Sequence, residues 1–353
     1  MQPIIIGHRG ASGYRPEHTR SAFNLSFALG ADAVEPDLVA TRDGVLVIRH
    51  ENEISGTTDV GTRAEFAARR TEKLVDGKLV TGWFTEDFTW AELSTLRARE
   101  RLPALRQRNT TFDDQQPILR LRDLFDLVDA AAEQTERVLG IVAEIKHANY
   151  FAGLSLPLPE LFAAEVSAAG WNTDRLTVES FEPSVLAQVR AQGVRSKRIF
   201  LLEDEGHPVD QVAEYGAGAL SYADHLTADG LASLAAGRSS GGSRSSMGSS
   251  TATSDIGVDG ISVPKSLILE TDAAGEVTGA SALVDDAHAA GLKIYCWTLR
   301  PENKFLAKTF RSGTRKGDFG HWQSEFRVIL ASGIDGVFAD HPDLAVHVRD
   351  DLR

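Results

Sequence analysis

A unit that recurs along the chain limits the possible folds more than any other feature. A short apolar run is followed by a helix-spaced segment and then a glycine stop. Residues 4–7 are an apolar run, the apolar positions of 19–29 carry helical spacing, and Gly30 ends them. Residues 33–38 then form a second strand. The same alternation resumes with strand candidates at 139–145, 176–178, 198–202, 260–263, 292–296 and 334–338, and helices at 161–169, 185–192, 281–290 and 323–331. Residues 218–222 make a ninth strand candidate, which adjoins a Ser/Gly-rich stretch and is set aside. Strand–helix–strand repetition builds parallel sheet. Over roughly 280 residues it fits an α/β, TIM-type (β/α)8 barrel better than an open sheet.

The alternation breaks between residues 51 and 116. That stretch is rich in arginine and poor in long apolar runs, with one short helix expected within 85–96. It reads as a small inserted subdomain after the second strand, leaving 1–50 and 117–353 as the barrel domain. An amphipathic helix at 121–132 marks the return. Residues 237–254 are almost wholly serine, glycine and polar, the composition of a flexible loop.

The chain has 353 residues with 42% hydrophobic content, and no apolar run is long enough for a membrane span. Its net charge of -13 argues against non-specific nucleic-acid binding, so any anion recognition must be local. The single cysteine, Cys296, excludes an internal disulfide framework. The opening residues lead directly into a strand without signal-peptide features. A cytoplasmic location is therefore expected, or a periplasmic or secreted one if a leader has been removed.

In such barrels the chemistry collects at the C-terminal ends of the strands. Those ends carry His8, Arg9, Glu35, Asp37, Glu144, Lys146, Lys265 and Trp297. A turn at Arg42-Asp43-Gly44 and a second short strand at 45–48 deliver His50 to the same end. Glu35 and Asp37 are separated by one residue, as are Glu144 and Lys146, so each pair shares a strand face. Glu35, Asp37 and Glu144 are hard oxygen donors. With no cysteine and no H-x-x-x-H pattern beside them, they suit Mg2+ or Ca2+ rather than zinc. Arg9 and Lys146 suit an anionic group, and two histidines suit acid/base work near neutral pH. A cation, basic side chains and a histidine pair together indicate chemistry on a phosphodiester. His18, His321 and His341 read as structural or solvated. Arg97, Arg99, Arg101, Arg106 and Arg108 read as a solvated face.

Several segments, taken in order, carry a family resemblance. They are His8-Arg9-Gly10, Pro16-Glu17-His18-Thr19, Glu35-x-Asp37, His50, Glu144-x-Lys146, Ser180-Phe181-x-Pro183, Trp297-Thr298 and the 333–342 run ending in Asp340-x-Pro342. The set resembles the glycerophosphodiester phosphodiesterases over nearly the whole chain. The long insert with Gly56-Thr57-Thr58-Asp59-Val60 and the region of Trp322 look most like the periplasmic, larger-insert branch. Three departures stand out: His18 where the family has Asn, Glu51 where it has Asp, and Gly56 where it has Arg.

The resemblance implies that Glu35, Asp37 and Glu144 hold one divalent cation, Mg2+ or Ca2+. It implies that His8 and His50 are the acid/base pair and that Arg9 and Lys146 bind phosphate. Glu17 would orient Arg9, while Phe181 and Trp297 would line the glycerol side. The expected substrate is a small glycerophosphodiester, hydrolysed to an alcohol and glycerol 3-phosphate. The same groups also suit a phosphodiesterase or lyase acting on lysophospholipid or sphingolipid headgroups. A catalytically idle barrel would bind phosphoesters without turnover.

Overall fold

A computed structural model describes residues 2–236 and 257–353, so the Ser/Gly-rich stretch at 237–254 lies outside the described residues. Eight strands close on themselves. They are β1 (Ile4–His8), β2 (Ala33–Glu35, resuming after Pro36 as Asp37–Ala40), β3 (Gly140–Ile145), β4 (Leu176–Ser180), β5 (Lys197–Leu201), β6 (Gly260–Pro264), β7 (Lys293–Leu299) and β8 (Gly336–Ala339). Each runs parallel to the next, and β8 pairs with β1. This is the TIM-type barrel that the repeating unit implies. Pro36 has no N–H for the ladder and divides β2 in two, yet the pairing with β3 resumes in step at Asp37.

Helices cover the outside, among them Arg20–Ala28, Leu121–Thr135, Leu158–Ala168, Pro183–Ala191, Leu283–Ala289, Trp322–Ala331 and Pro342–Asp351. Thr19 caps the first of these, its hydroxyl accepting from the Ala22 N–H at 3.2 Å. The main apolar core lies between strands and helices and includes Phe23, Val34, Ile141, Phe162, Leu186 and Phe326. A second cluster fills the barrel itself: Ile6, Ala33, Val142, Ile199, Tyr295 and Phe338. His8, Glu35, Glu144, Trp297 and Asp340 each stand two residues beyond a member of that cluster. The strand period of two therefore directs them to the same interior, one layer above its apolar floor.

Outside the barrel repeat, one element departs from the sequence reading and others follow it. Residues 218–222, set aside as a strand, are indeed not one: a 3-10 turn at Gly216–Gly218 gives way to a one-turn helix at Tyr222–His225. The short helix expected within 85–96 is the single turn Trp90–Leu93, begun by a Thr89/Glu92 capping box and preceded by a 3-10 turn, Thr85–Asp87. An unexpected hairpin joins Thr71–Val75 to Lys78–Gly82 through Asp76-Gly77, both at positive φ, as a two-residue turn of this kind requires. Within the 51–116 stretch, Ile54, Val60, Phe66, Phe88, Leu93 and Leu96 are buried in the main core.

Candidate active site

β1 ends at His8, and the next two residues reverse the chain. Arg9 has φ +58 and Gly10 φ +85. A Cβ at Gly10 would sit 2.6 Å from the carbonyl carbon of Ala22, so only glycine fits here. The turn aims the Arg9 backbone N–H at Glu35 Oε2, 2.8 Å away. Register does the rest. His8 pairs with Glu35, Asp37 with Glu144, and Glu144 with Glu179, so these side chains share one layer of the barrel interior. The antiparallel strand Leu46–Ile48 returns alongside β2 and presents His50 at this mouth.

Each imidazole is held through Nδ1 by a carboxylate. His8 lies 2.6 Å from Asp340 Oδ1, and His50 lies 2.5 Å from Glu51 Oε1. Each carboxylate is held in turn by arginine. Asp340 Oδ2 accepts from Arg106 Nη2 at 2.6 Å and from Arg300 Nε at 2.7 Å. Arg101 donates to both Glu51 oxygens at 2.8 and 2.6 Å and to both Glu17 oxygens at 2.6 and 2.7 Å. Glu17 also accepts from Arg9 Nη1 at 3.1 Å. Lys146 Nζ completes the network, 2.8 Å from Glu144 Oε1, 3.2 Å from His50 Nε2 and 3.4 Å from Asp37 Oδ1. It also stands 5.6 Å from the centre of the Phe181 ring, which meets Trp297 edge-on at 5.9 Å.

Burial sets the protonation states. It pushes His8 down to about 4, assisted by Arg9, and His50 down to about 3, assisted by Arg9 and Lys146. Both imidazoles are therefore neutral near pH 7. Among the acids, burial raises Glu35 well above the usual carboxylate range, with Asp37 adding to the effect, and raises Glu144 to about 8. Burial also opposes ionisation of Asp37, but Lys146, His50 and Arg9 overcome it and hold that carboxyl well below its ordinary range.

Two acidic groups of the described residues have ligand atoms within 4.8 Å of one another: His18 with Glu35 and Asp37, and Glu35 with Glu144 and Glu179. Both oxygens of Asp37 are buried without a hydrogen bond, as is Glu179 Oε2. Buried anionic oxygens of this kind need a cation, and the set consists mainly of hard oxygen donors.

The residues expected at the rim thus stand around one mouth. Lys265 does not: it opens a short helix and turns away to pair with Glu325. Arg101 and Arg106 are not a solvated face, since both reach inward to carboxylates of the rim, and Arg106 is only 8% exposed. Arg99 does stay outward, paired with Asp114. His341 is structural, buried against Tyr14 and Phe319. His18 is fully buried, with Nε2 3.2 Å from Asp37 Oδ2. Sequence reasoning gave no site role to Asp340, Glu51 or Glu179. Glu51 directly follows His50, which was an available signal, whereas Asp340 lies 332 residues from His8.

Two predictions arise here. Arg106→Ala leaves Asp340 and Glu302 buried with a cation removed, and should cost about 3–5 kcal/mol in urea unfolding. A loss below 1 kcal/mol would show that these groups are solvated. The second concerns acid. His8 and His341 both lie at about 4 in the folded chain, against about 6.5 when unfolded. The unfolded chain therefore binds protons first, so stability is full above pH 6.5 and falls as the pH drops towards 4. Each imidazole contributes on the order of 3 kcal/mol at most by pH 4. Glu35 and Glu144, held above the ordinary carboxyl range, act in the opposite sense, so the test is a difference: between pH 7 and pH 4.5 the urea midpoint of His341→Gln should gain on that of wild type. A midpoint difference that stays constant over that range would contradict the burial assigned to His341.

A closed parallel barrel with a dense ionisable cluster at the C-terminal mouth of its strands has the layout of a barrel enzyme. The chain belongs to the glycerophosphoryl diester phosphodiesterase family, whose model matches residues 8–344. It is 28% identical over 346 residues to a glycerophosphodiester phosphodiesterase of Arabidopsis thaliana, covering 96% of this chain and 84% of that one. The fold matches a glycerophosphoryl diester phosphodiesterase structure from Silicibacter pomeroyi with a TM-score of 0.65 at 19% identity, over 99% of this chain and 94% of the other. It also matches an Oleispira antarctica phosphodiesterase, solved with the product sn-glycerol-3-phosphate, with a TM-score of 0.57 at 18% identity, over 99% and 97%.

Proposed function

We propose that this protein hydrolyses glycerophosphodiesters to an alcohol and glycerol 3-phosphate. Family membership supports the reaction class. The observation that carries the residue roles is the pair of carboxylate-held imidazoles at the mouth that holds a buried acidic cluster. Glu35, Asp37 and Glu144 would hold one divalent cation, Mg2+ or Ca2+. When bound, such an ion polarises phosphoryl oxygens and lowers the pKa of a nucleophilic hydroxyl.

The side chains account for the remaining steps. Arg9, oriented by Glu17, and Lys146 bind the phosphate oxygens. His8, neutral and fixed by Asp340, takes the proton of the attacking hydroxyl, which is either water or the glycerol 2-hydroxyl. A new P–O bond forms, and the P–O bond to the alcohol breaks. His50, once protonated at Nε2 from solvent with substrate bound, donates that proton to the departing alcohol. A phosphate lying on Arg9 and Lys146 offsets the two charges that otherwise disfavour protonated His50. With the glycerol hydroxyl as nucleophile, the route passes through a cyclic phosphate that water then opens. Phe181 and Trp297 line the glycerol side. A cleft of about 670 Å3 lined by Glu51, Phe181, Glu203 and Tyr222 leaves room for the alcohol.

The deciding assay is release of glycerol 3-phosphate from glycerophosphocholine, with and without chelator. Cation-dependent release is expected. Tight binding of phosphoesters without turnover would reject the proposal.

A further inference from the structure

Glu179 is a carboxylate that the proposed roles leave unused. It stands on β4 beside Glu144, is 2% exposed, and its Oε2 has no hydrogen-bond partner. One of its oxygens lies within 4.8 Å of ligand oxygens of both Glu35 and Glu144. Burying an unpartnered carboxylate is costly, so this position calls for a positive charge. The cationic side chains of this layer, Arg9 and Lys146, are engaged with Glu17, Asp37 and Glu144. Four carboxyl groups therefore face two protein cations, and a divalent ion is the species that would let all four stand ionised together.

We infer that Glu179 is a fourth carboxylate ligand of the divalent-cation site and biases that site towards Ca2+. The inference rests on the cation reading given above. Mg2+ keeps several waters and takes roughly one or two carboxylates, whereas Ca2+ accepts about six to eight oxygens in flexible geometry. A fourth converging carboxylate suits the larger ion.

The test is calorimetric titration of the chelator-stripped full chain with CaCl2 and with MgCl2, comparing wild type, Glu35→Gln and Glu179→Gln. Glu179→Gln keeps the side-chain shape and removes the charge. Its Ca2+ dissociation constant is expected to rise roughly 10-fold or more, with a smaller rise for Mg2+. An unchanged Ca2+ constant, or equal losses for both ions, overturns the inference. If Glu35→Gln weakens binding while Glu179→Gln does not, the cation reading stands and only this inference falls. A wild-type chain that takes up neither ion overturns both. Should Glu179→Gln fail to fold, Glu179→Asp, which withdraws the oxygen by one methylene, is judged by the same criterion.

Discussion

His8→Ala is expected to lower kcat for glycerophosphocholine by at least about 10²-fold while leaving the fold and cation uptake intact. The fold survives because Asp340, the partner of His8, keeps Arg106 and Arg300 when the imidazole is gone. Cation uptake survives because His8 is not among the side chains whose ligand atoms cluster within 4.8 Å. The loss should therefore appear in turnover and not in unfolding midpoints or metal titrations. Asp340→Asn offers a finer probe. It preserves shape but weakens the hold on Nδ1–H, so it should lower kcat without abolishing binding. Near-normal turnover in His8→Ala would remove this residue from proton transfer.

The second large effect is expected for Asp37→Asn. Asp37 is fully buried, both of its oxygens lack hydrogen bonds, and three cationic or imidazole groups lie within 3.4 Å. The amide loses the charge that a divalent ion would need and leaves Arg9 and Lys146 less well compensated. Polarisation by a bound ion is worth several kcal/mol, so kcat should fall by roughly 10²–10³-fold, and added cation should not restore it. Calorimetric titration alongside the coupled assay checks both halves. A cation titration matching wild type would exclude Asp37 as a ligand.

Local signals made part of this site legible. His8 and the Glu35/Asp37 pair follow from strand ends and a period of two, and the observed register places them as that rule requires. Glu179 obeys the same rule. It was hidden because the fourth strand reads as ending at Val178, whereas it runs on to Ser180. Arg101 and Arg106 had no local signal at all. Their carboxylate partners Glu17 and Asp340 lie 84 and 234 residues away in the chain, so charge composition alone made them look solvated. Lys265 misled for the opposite reason. It follows a strand end, but the short helix beginning there carries its ammonium to Glu325. The 71–82 hairpin escaped notice because Leu74 and Leu79 are largely exposed and give no buried face to recognise, although Asp76-Gly77 is a strong turn signal.

Each imidazole rests on a carboxylate, and each carboxylate receives an arginine from the stretch between the second and third barrel strands. That stretch is therefore not a detachable ornament. A shortened protein lacking it would lose both the struts behind the rings and six side chains of the core that packs against the strands. Exchanging the segment between relatives would succeed only when the two arginines and their acidic seats travel together.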